Sequence, residues 1–152
     1  MPFGSSKSKR FWPMLALALA AGCRMTPAAG PSAGAAGVPL ENTAWTLVEI
    51  GGQPARAIGS GAGPTLRLDA AEKRAGGDTG CNHYGGPYEL SGTSLRLGPL
   101  VSTRRACVDE ALNRQEAAFL RALDETRSWR IDGGTLVLSS PSGVVARLRA
   151  AG

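Results

Sequence analysis

Between Leu40 and Arg149 the apolar residues recur at every second position in short runs, separated by glycine, proline and small polar residues. A period of two puts alternate side chains on one face of an extended chain, so these runs predict strands with one buried face. The clearest pairs are Leu66/Leu68, Leu95/Leu97 and Leu136/Leu138, with Arg67, Arg96 and Val137 directed to the other face. Further strands are expected at Trp45 to Ile50, Lys73 to Gly76, Tyr88 to Leu90, Leu100 to Thr103, Trp129 to Ile131 and Val144 to Leu148. The turns agree with this reading. Asp132-Gly133-Gly134 lies between two such runs and is hairpin chemistry, because glycine accepts the positive φ of a tight reversal. Ser91-Gly92 and Pro141-Ser142-Gly143 read as further turns, and Gly76-Gly77-Asp78-Thr79-Gly80 reads as a loop.

One segment breaks the rhythm. From Asp109 to Leu123 the apolar residues Leu112, Phe119, Leu120 and Leu123 fall at helical spacing. Asp109 is placed to cap the first turn, and Glu110 with Arg114 forms an i,i+4 pair in the favourable order. The expected architecture is mainly β: a small antiparallel β-barrel or strongly curved sheet carrying one α-helix.

The first 39 residues follow neither period. Lys7, Lys9 and Arg10 precede the apolar run Phe11 to Ala21 and then a cysteine, which is the zoning of an export leader. Eleven apolar residues are too few to span a bilayer, for which about 20 are needed. Leu19-Ala20-Ala21-Gly22-Cys23 resembles a bacterial lipobox, although Leu stands one step further from the cysteine than usual. The resemblance implies cleavage before Cys23 and lipid on its thiol. Arg24 rather than Asp follows that cysteine, which fits an outer-membrane anchor facing the periplasm. Residues 24–38, rich in Pro, Ala and Gly, have little to bury and read as a flexible tether. The expected organisation is therefore a leader at 1–22, a lipidated cysteine and tether at 23–39, and one folded domain at 40–150.

Charge changes the picture less than the formal net +5 suggests. Three of the 17 basic residues lie in the leader, so 14 face 12 acidic side chains in the mature chain. That balance gives no basis for nucleic-acid binding. Twenty-one glycines and ten prolines suit short strands and many turns. No Ser/His/Asp set with a nucleophile elbow, no phosphate-cradling loop before a helix and no evident carboxylate pair appears, so no catalytic residue and no cofactor is assigned. Of the three cysteines, lipidation takes Cys23 and leaves Cys81 and Cys107. The favoured reading in an oxidising compartment is a disulfide; two free thiols, or a metal or nucleophilic role with His83, are the alternatives. His83 is the sole histidine, and no metal site is assigned. Asn82, His83 and Tyr84 could form a polar patch for a partner, whereas Trp45 and Trp129 suit the core.

Several motifs carry a family resemblance. Gly80-Cys81-Asn82 is followed by Gly85-Gly86 and Tyr88, then by Thr103-Arg104-Arg105-Ala106-Cys107, then by Glu116 and Phe119-Leu120 on the helix. With Asn42-Thr43-Ala44-Trp45-Thr46-Leu47 at the start and Gly134-Thr135-Leu136-Val137-Leu138 near the end, this order resembles the META domain, also called HslJ-like. Arg105 departs from it, since the family usually has Met there. The resemblance implies a small antiparallel barrel with a helix, common on envelope lipoproteins, with no established enzymatic activity and links to heat shock and novobiocin resistance. It makes Gly80, Asn82, Gly85, Tyr88, Thr103 and Trp45 structural motif residues. The expected function is a monomeric, non-enzymatic, lipid-anchored envelope protein that supports stress or antibiotic tolerance by binding envelope components. A carrier of a small apolar ligand is the alternative.

Overall fold

Hydrogen bonding closes the strands on themselves. In the computed structural model, which describes residues 37–58, 61, 63–105 and 107–151, ten antiparallel strands surround one helix. The leader, Cys23 and the tether up to residue 36 lie outside the described residues. The strands are β1 (Ala44–Ile50), β2 (Gln53–Pro54), β3 (Thr65–Asp69), β4 (Arg74–Asp78), β5 (His83–Ser91), β6 (Ser94–Leu97), β7 (Val101–Ser102), β8 (Ser128–Asp132), β9 (Thr135–Ser140) and β10 (Gly143–Ala150). The helix, α1, spans Glu110–Glu125 between β7 and β8. Eight strands follow each other in chain order, β1-β3-β4-β5-β6-β8-β9-β10, and β10 returns to pair with β1. The short β2 extends β1, and β7 pairs with β5. The result is a closed meander barrel, which leaves none of its eight main strands as an unpaired edge.

The period-two pairs land inside as expected. Leu66, Leu68, Leu95, Leu136 and Leu138 are fully buried with Trp45 and Leu148, and Phe119, Ala122 and Leu123 of α1 complete the core. An eight-stranded barrel is about the size that side chains alone can fill. Packed residues begin at Val38, which leans on this core although it falls within the segment expected to be tether. Trp129 is half-buried and its indole nitrogen donates to Gly92 O at 3.0 Å.

The turns hold as expected. Gly133 and Gly134 have φ of +54° and +81° between the paired ends Asp132 and Thr135 of β8 and β9. Asp109 caps α1 by accepting from Ala111 N at 2.7 Å, and Arg114 meets Glu110 at 3.2 Å. Two expectations need correction. Gly77 and Asp78 continue β4 past the expected strand end at Gly76 rather than belonging to a loop. Glycine serves there because a Cβ at Gly77 would collide with Thr65 O, to which the Tyr84 hydroxyl reaches across the barrel wall at 2.7 Å. The strand expected at Tyr88 begins five residues earlier, at His83, so Gly85 and Gly86 are strand residues; a Cβ at Gly86 would strike Pro99 O, where the loop after β6 folds over it. Val137 faces away from the core cluster yet is only 1% exposed, between its register neighbours Arg130 and Arg147. Long basic side chains can cover an apolar residue in this way while their charges stay wet.

Candidate functional site

The motif residues converge where the β4–β5 turn (residues 79–82) and the β7–α1 loop (residues 103–109) meet the helix. Thr79 closes the turn on itself: its backbone N–H donates to Asn82 O at 2.8 Å, and its hydroxyl accepts from Asn82 N at 3.1 Å. Gly80, at φ +99°, keeps a side chain away from Ile58, with which a Cβ would collide. The turn thereby aims the buried Asn82 amide inward.

Asn82 is the hub. Its Oδ1 accepts from Thr103 Oγ1 at 2.8 Å and from Arg105 N at 2.7 Å. Its Nδ2 donates to Arg105 O at 2.9 Å and to the Glu116 carboxylate, whose oxygens lie at 2.8 and 3.0 Å. Every polar atom of the amide is used, so the two loops and the helix are held by one buried side chain. Cys81 and Cys107 form a disulfide beside it, with Cα atoms 5.6 Å apart, and the oxidised reading of the pair holds. A Glu116 oxygen lies within 4.8 Å of both sulfurs. Asn113 fixes the Cys107 backbone from the helix, accepting from its N–H at 3.0 Å and donating to its carbonyl at 3.1 Å.

The polar patch expected of Asn82, His83 and Tyr84 does not assemble. The alternation of β5 sends Tyr84 inward, edge-on to Phe119 at 6.0 Å, and His83 outward to solvent, where Nδ1 lies 2.9 Å from Asp78 Oδ2. Burial, with Asp78 adding to it, pushes the Tyr84 phenol well above the usual tyrosine range. Tyr88 is buried too, and its hydroxyl donates to Glu41, which also takes Lys73 at 2.9 Å. These bonds hold the Glu41 carboxyl below its usual value, the tyrosine contributing first and the lysine second. Trp45 is fully buried and donates through Nε1 to Leu40 O at 2.9 Å.

Sequence reading named Glu116 among the motif residues without a role and missed the buried Gln115 beside it. Glu116 carries the hub, and Gln115 grips the loop before β3 by accepting from Arg56 N at 2.6 Å and donating to Arg56 O at 3.0 Å. The signal was there: both interrupt the apolar stripe between Leu112 and Phe119 at positions that must face inward.

Chemically, the arrangement offers a half-exposed disulfide, a buried carboxylate beside it and two basic side chains, Arg104 and Arg105, in solvent. Trp45, Leu68, Leu138 and Phe119 fill the interior, and two open clefts among the described residues are lined by charged side chains, one by Arg67, Asp69 and Arg74 and the other by Glu89, Arg96, Asp124 and Arg127. The carrier reading needs an interior cavity, and that filled interior counts against it. No helix of the described residues is long and apolar enough to cross a membrane.

Fold and site together define a small closed β-barrel whose helix and two loops are tied together by a buried asparagine, with a disulfide joining the loops. The META domain family model matches residues 38–152, and the chain belongs to that family. Membership points to a small envelope-associated protein, in a family not known as enzymatic. Among solved structures, an NMR structure of a protein from Burkholderia xenovorans is similar at 29% identity and TM-score 0.56, covering 83% of this chain and 99% of that one. A second NMR structure, at 22% identity and TM-score 0.57, covers 72% and 90%. A DUF4847-family protein from Bacteroides vulgatus, at 14% identity and TM-score 0.51, covers 73% and 93% and supports the fold alone. Comparison with curated proteins gives no significant match.

Proposed function

We propose that this is an exported lipoprotein, anchored through Cys23 to the outer membrane, whose META domain supports stress or antibiotic tolerance by binding other envelope components rather than by catalysis. The observation that carries this reading is the Cys81–Cys107 disulfide. Disulfides persist outside the cytoplasm, and this one sits behind a leader with a lipobox-like end, so two independent features point to the same compartment. Several acyl chains on one cysteine hold a protein firmly where a single chain would not. The packed barrel then serves as a scaffold that displays its outer surface at the end of a tether.

Intact mass of the protein extracted from membranes, before and after reduction and alkylation, tests the proposal. The expected product begins at Cys23, carries acyl mass, and gains two alkyl groups only after reduction. A soluble product beginning elsewhere would remove the anchor, and alkylation of Cys81 and Cys107 without reduction would remove the oxidised-compartment argument.

A further inference from the structure

We propose that the Cys81–Cys107 bond is exchangeable on the folded domain, opened by a dithiol partner and re-formed with Glu116 as the proton carrier; this rests on the oxidised-envelope reading above. Three observations lead to it.

The first is redundancy. The two loops that the disulfide joins are also joined without it: Thr103 N donates to His83 O at 3.0 Å, His83 N to Thr103 Oγ1 at 3.2 Å, and Asn82 adds its bonds to Thr103 and Arg105. Asn113 independently holds the Cys107 backbone on the helix side. Breaking the sulfur–sulfur bond therefore leaves both cysteines in place. A disulfide whose only task is to hold loops together has little to add at such a position.

The second is the carboxylate. Glu116 is 9% exposed, aligned by both of its contacts to Asn82 Nδ2, and within 4.8 Å of both sulfurs. Thiol–disulfide exchange proceeds through the thiolate, so a fixed base beside the thiol speeds the step that regenerates the bond.

The third is access. Both cysteines are half-exposed, and Val108, directly after Cys107, stands fully in solvent. The exposed Arg104 and Arg105 precede it in the same loop. An apolar residue with basic neighbours beside a reactive sulfur suits docking of a protein dithiol with an apolar, acidic rim.

In the opening direction a partner thiolate attacks Cys107 Sγ. A partner–Cys107 disulfide forms, the Cys81–Cys107 bond breaks, and its electron pair leaves on Cys81 Sγ, which takes up a proton. The second partner thiol, losing its proton, then attacks its own mixed-disulfide sulfur and releases Cys107 as thiolate, which is protonated in turn. The dithiol is oxidised by two electrons and the pair Cys81/Cys107 is reduced by two. In the closing direction the Cys81 thiol passes its proton to Glu116 as its sulfur attacks Cys107 Sγ of a mixed disulfide; the Cys81–Cys107 bond forms, the Cys107–partner bond breaks, and its electron pair leaves on the partner sulfur as thiolate. Glu116 is a positioning and proton-carrying residue for this exchange.

The test uses the mature chain with Cys23→Ser, so that only Cys81 and Cys107 remain, placed in dithiothreitol redox buffers without denaturant. Thiols are counted by alkylation and mass, and the fold is followed through the near-ultraviolet circular dichroism of buried Trp45. The expected result is complete and reversible opening with the dichroism retained. Re-formation from a mixed disulfide on Cys107 should slow at least about tenfold in Glu116→Gln and recover in Glu116→Asp. Opening that occurs only in denaturant, collapse of the dichroism on reduction, or a Glu116→Gln variant that closes as fast as its parent would each overturn the inference while leaving the envelope reading intact. Free thiols in the protein as isolated would overturn both.

Discussion

A single amide carries more of this structure than any other polar group, and its burial makes it costly to lose. Asn82 satisfies the backbone of Arg105 in both directions and neutralises no charge, yet it is the hydrogen-bond donor to the Glu116 carboxylate. Asn82→Ala strands that carboxylate and two backbone groups among apolar neighbours. The expected loss is about 2–4 kcal/mol, read as a lower denaturant midpoint with the slope unchanged. A loss below about 1 kcal/mol would mean that water replaces the amide and that the hub is wet. Glu41 makes a different prediction, about pH. Its carboxyl lies below the ordinary 4.5 because Tyr88 donates to it and Lys73 stands beside it. A depressed carboxyl stabilises the fold above its unfolded value and gives up that contribution as pH falls through the folded one. The parent should therefore exceed Glu41→Gln in melting temperature at neutral pH, with the gap closing on acidification below 4.5. A gap that stays constant down to the acid transition would show that the Glu41 contacts contribute through packing alone.

At the scale of elements, the sequence was legible wherever a local rule decides the outcome. Leu66/Leu68 and Leu95/Leu97 follow the pleat, Gly133-Gly134 follows hairpin geometry, and Asp109 follows the need of a helix start for an acceptor. It was illegible where distant chain decides. Gly77 looks like part of a loop because glycine weakens a strand, but the Tyr84 hydroxyl and Thr65 O claim the space a side chain would need, and that contact joins residues 19 apart. Asn82, His83 and Tyr84 could be taken for a polar patch because nothing local reveals that β7 pairs alongside Tyr84 and that the helix meets Asn82. The candidate site divides along the same line. Its members, Gly80, Cys81, Asn82, Thr103 and Cys107, could be named from the motifs, whereas the bond from Asn82 to Glu116, across 34 residues, depends on how the helix returns over the barrel.

For the whole molecule the question is where a closed barrel first opens. β9 and β10 share six paired positions and β1 and β10 share five, so the seam joining the chain's two ends is well knit. The join between β6 and β8 has a single register pair, Ser94 with Ser128, helped by Leu95 N to Arg127 O at 3.1 Å and Trp129 N to Thr93 O at 3.0 Å. It is also where the meander is interrupted, because β7 and α1 intervene in sequence between the two strands. The helix packs on β6 and β9, one on each side of β8, and on β1 and β10. That contact spans the weak join and couples its integrity to the helix and the Asn82 hub that holds it. Local opening follows the least-bonded join, since its free energy is the smallest in the ring. Native-state amide exchange should therefore show Leu95 and Trp129 exchanging at least about tenfold faster than the β9 and β10 amides at Leu136 and Leu148. Asn82→Ala should raise the Leu95 and Trp129 rates more than those of β9 and β10, because the β6–β8 join has the fewest bonds of its own, whereas reduction of Cys81–Cys107 should leave both sets unchanged. Exchange that begins between β9 and β10 would place the weak point at the terminal strand instead, and the helix would then be a lid on a barrel that stands without it.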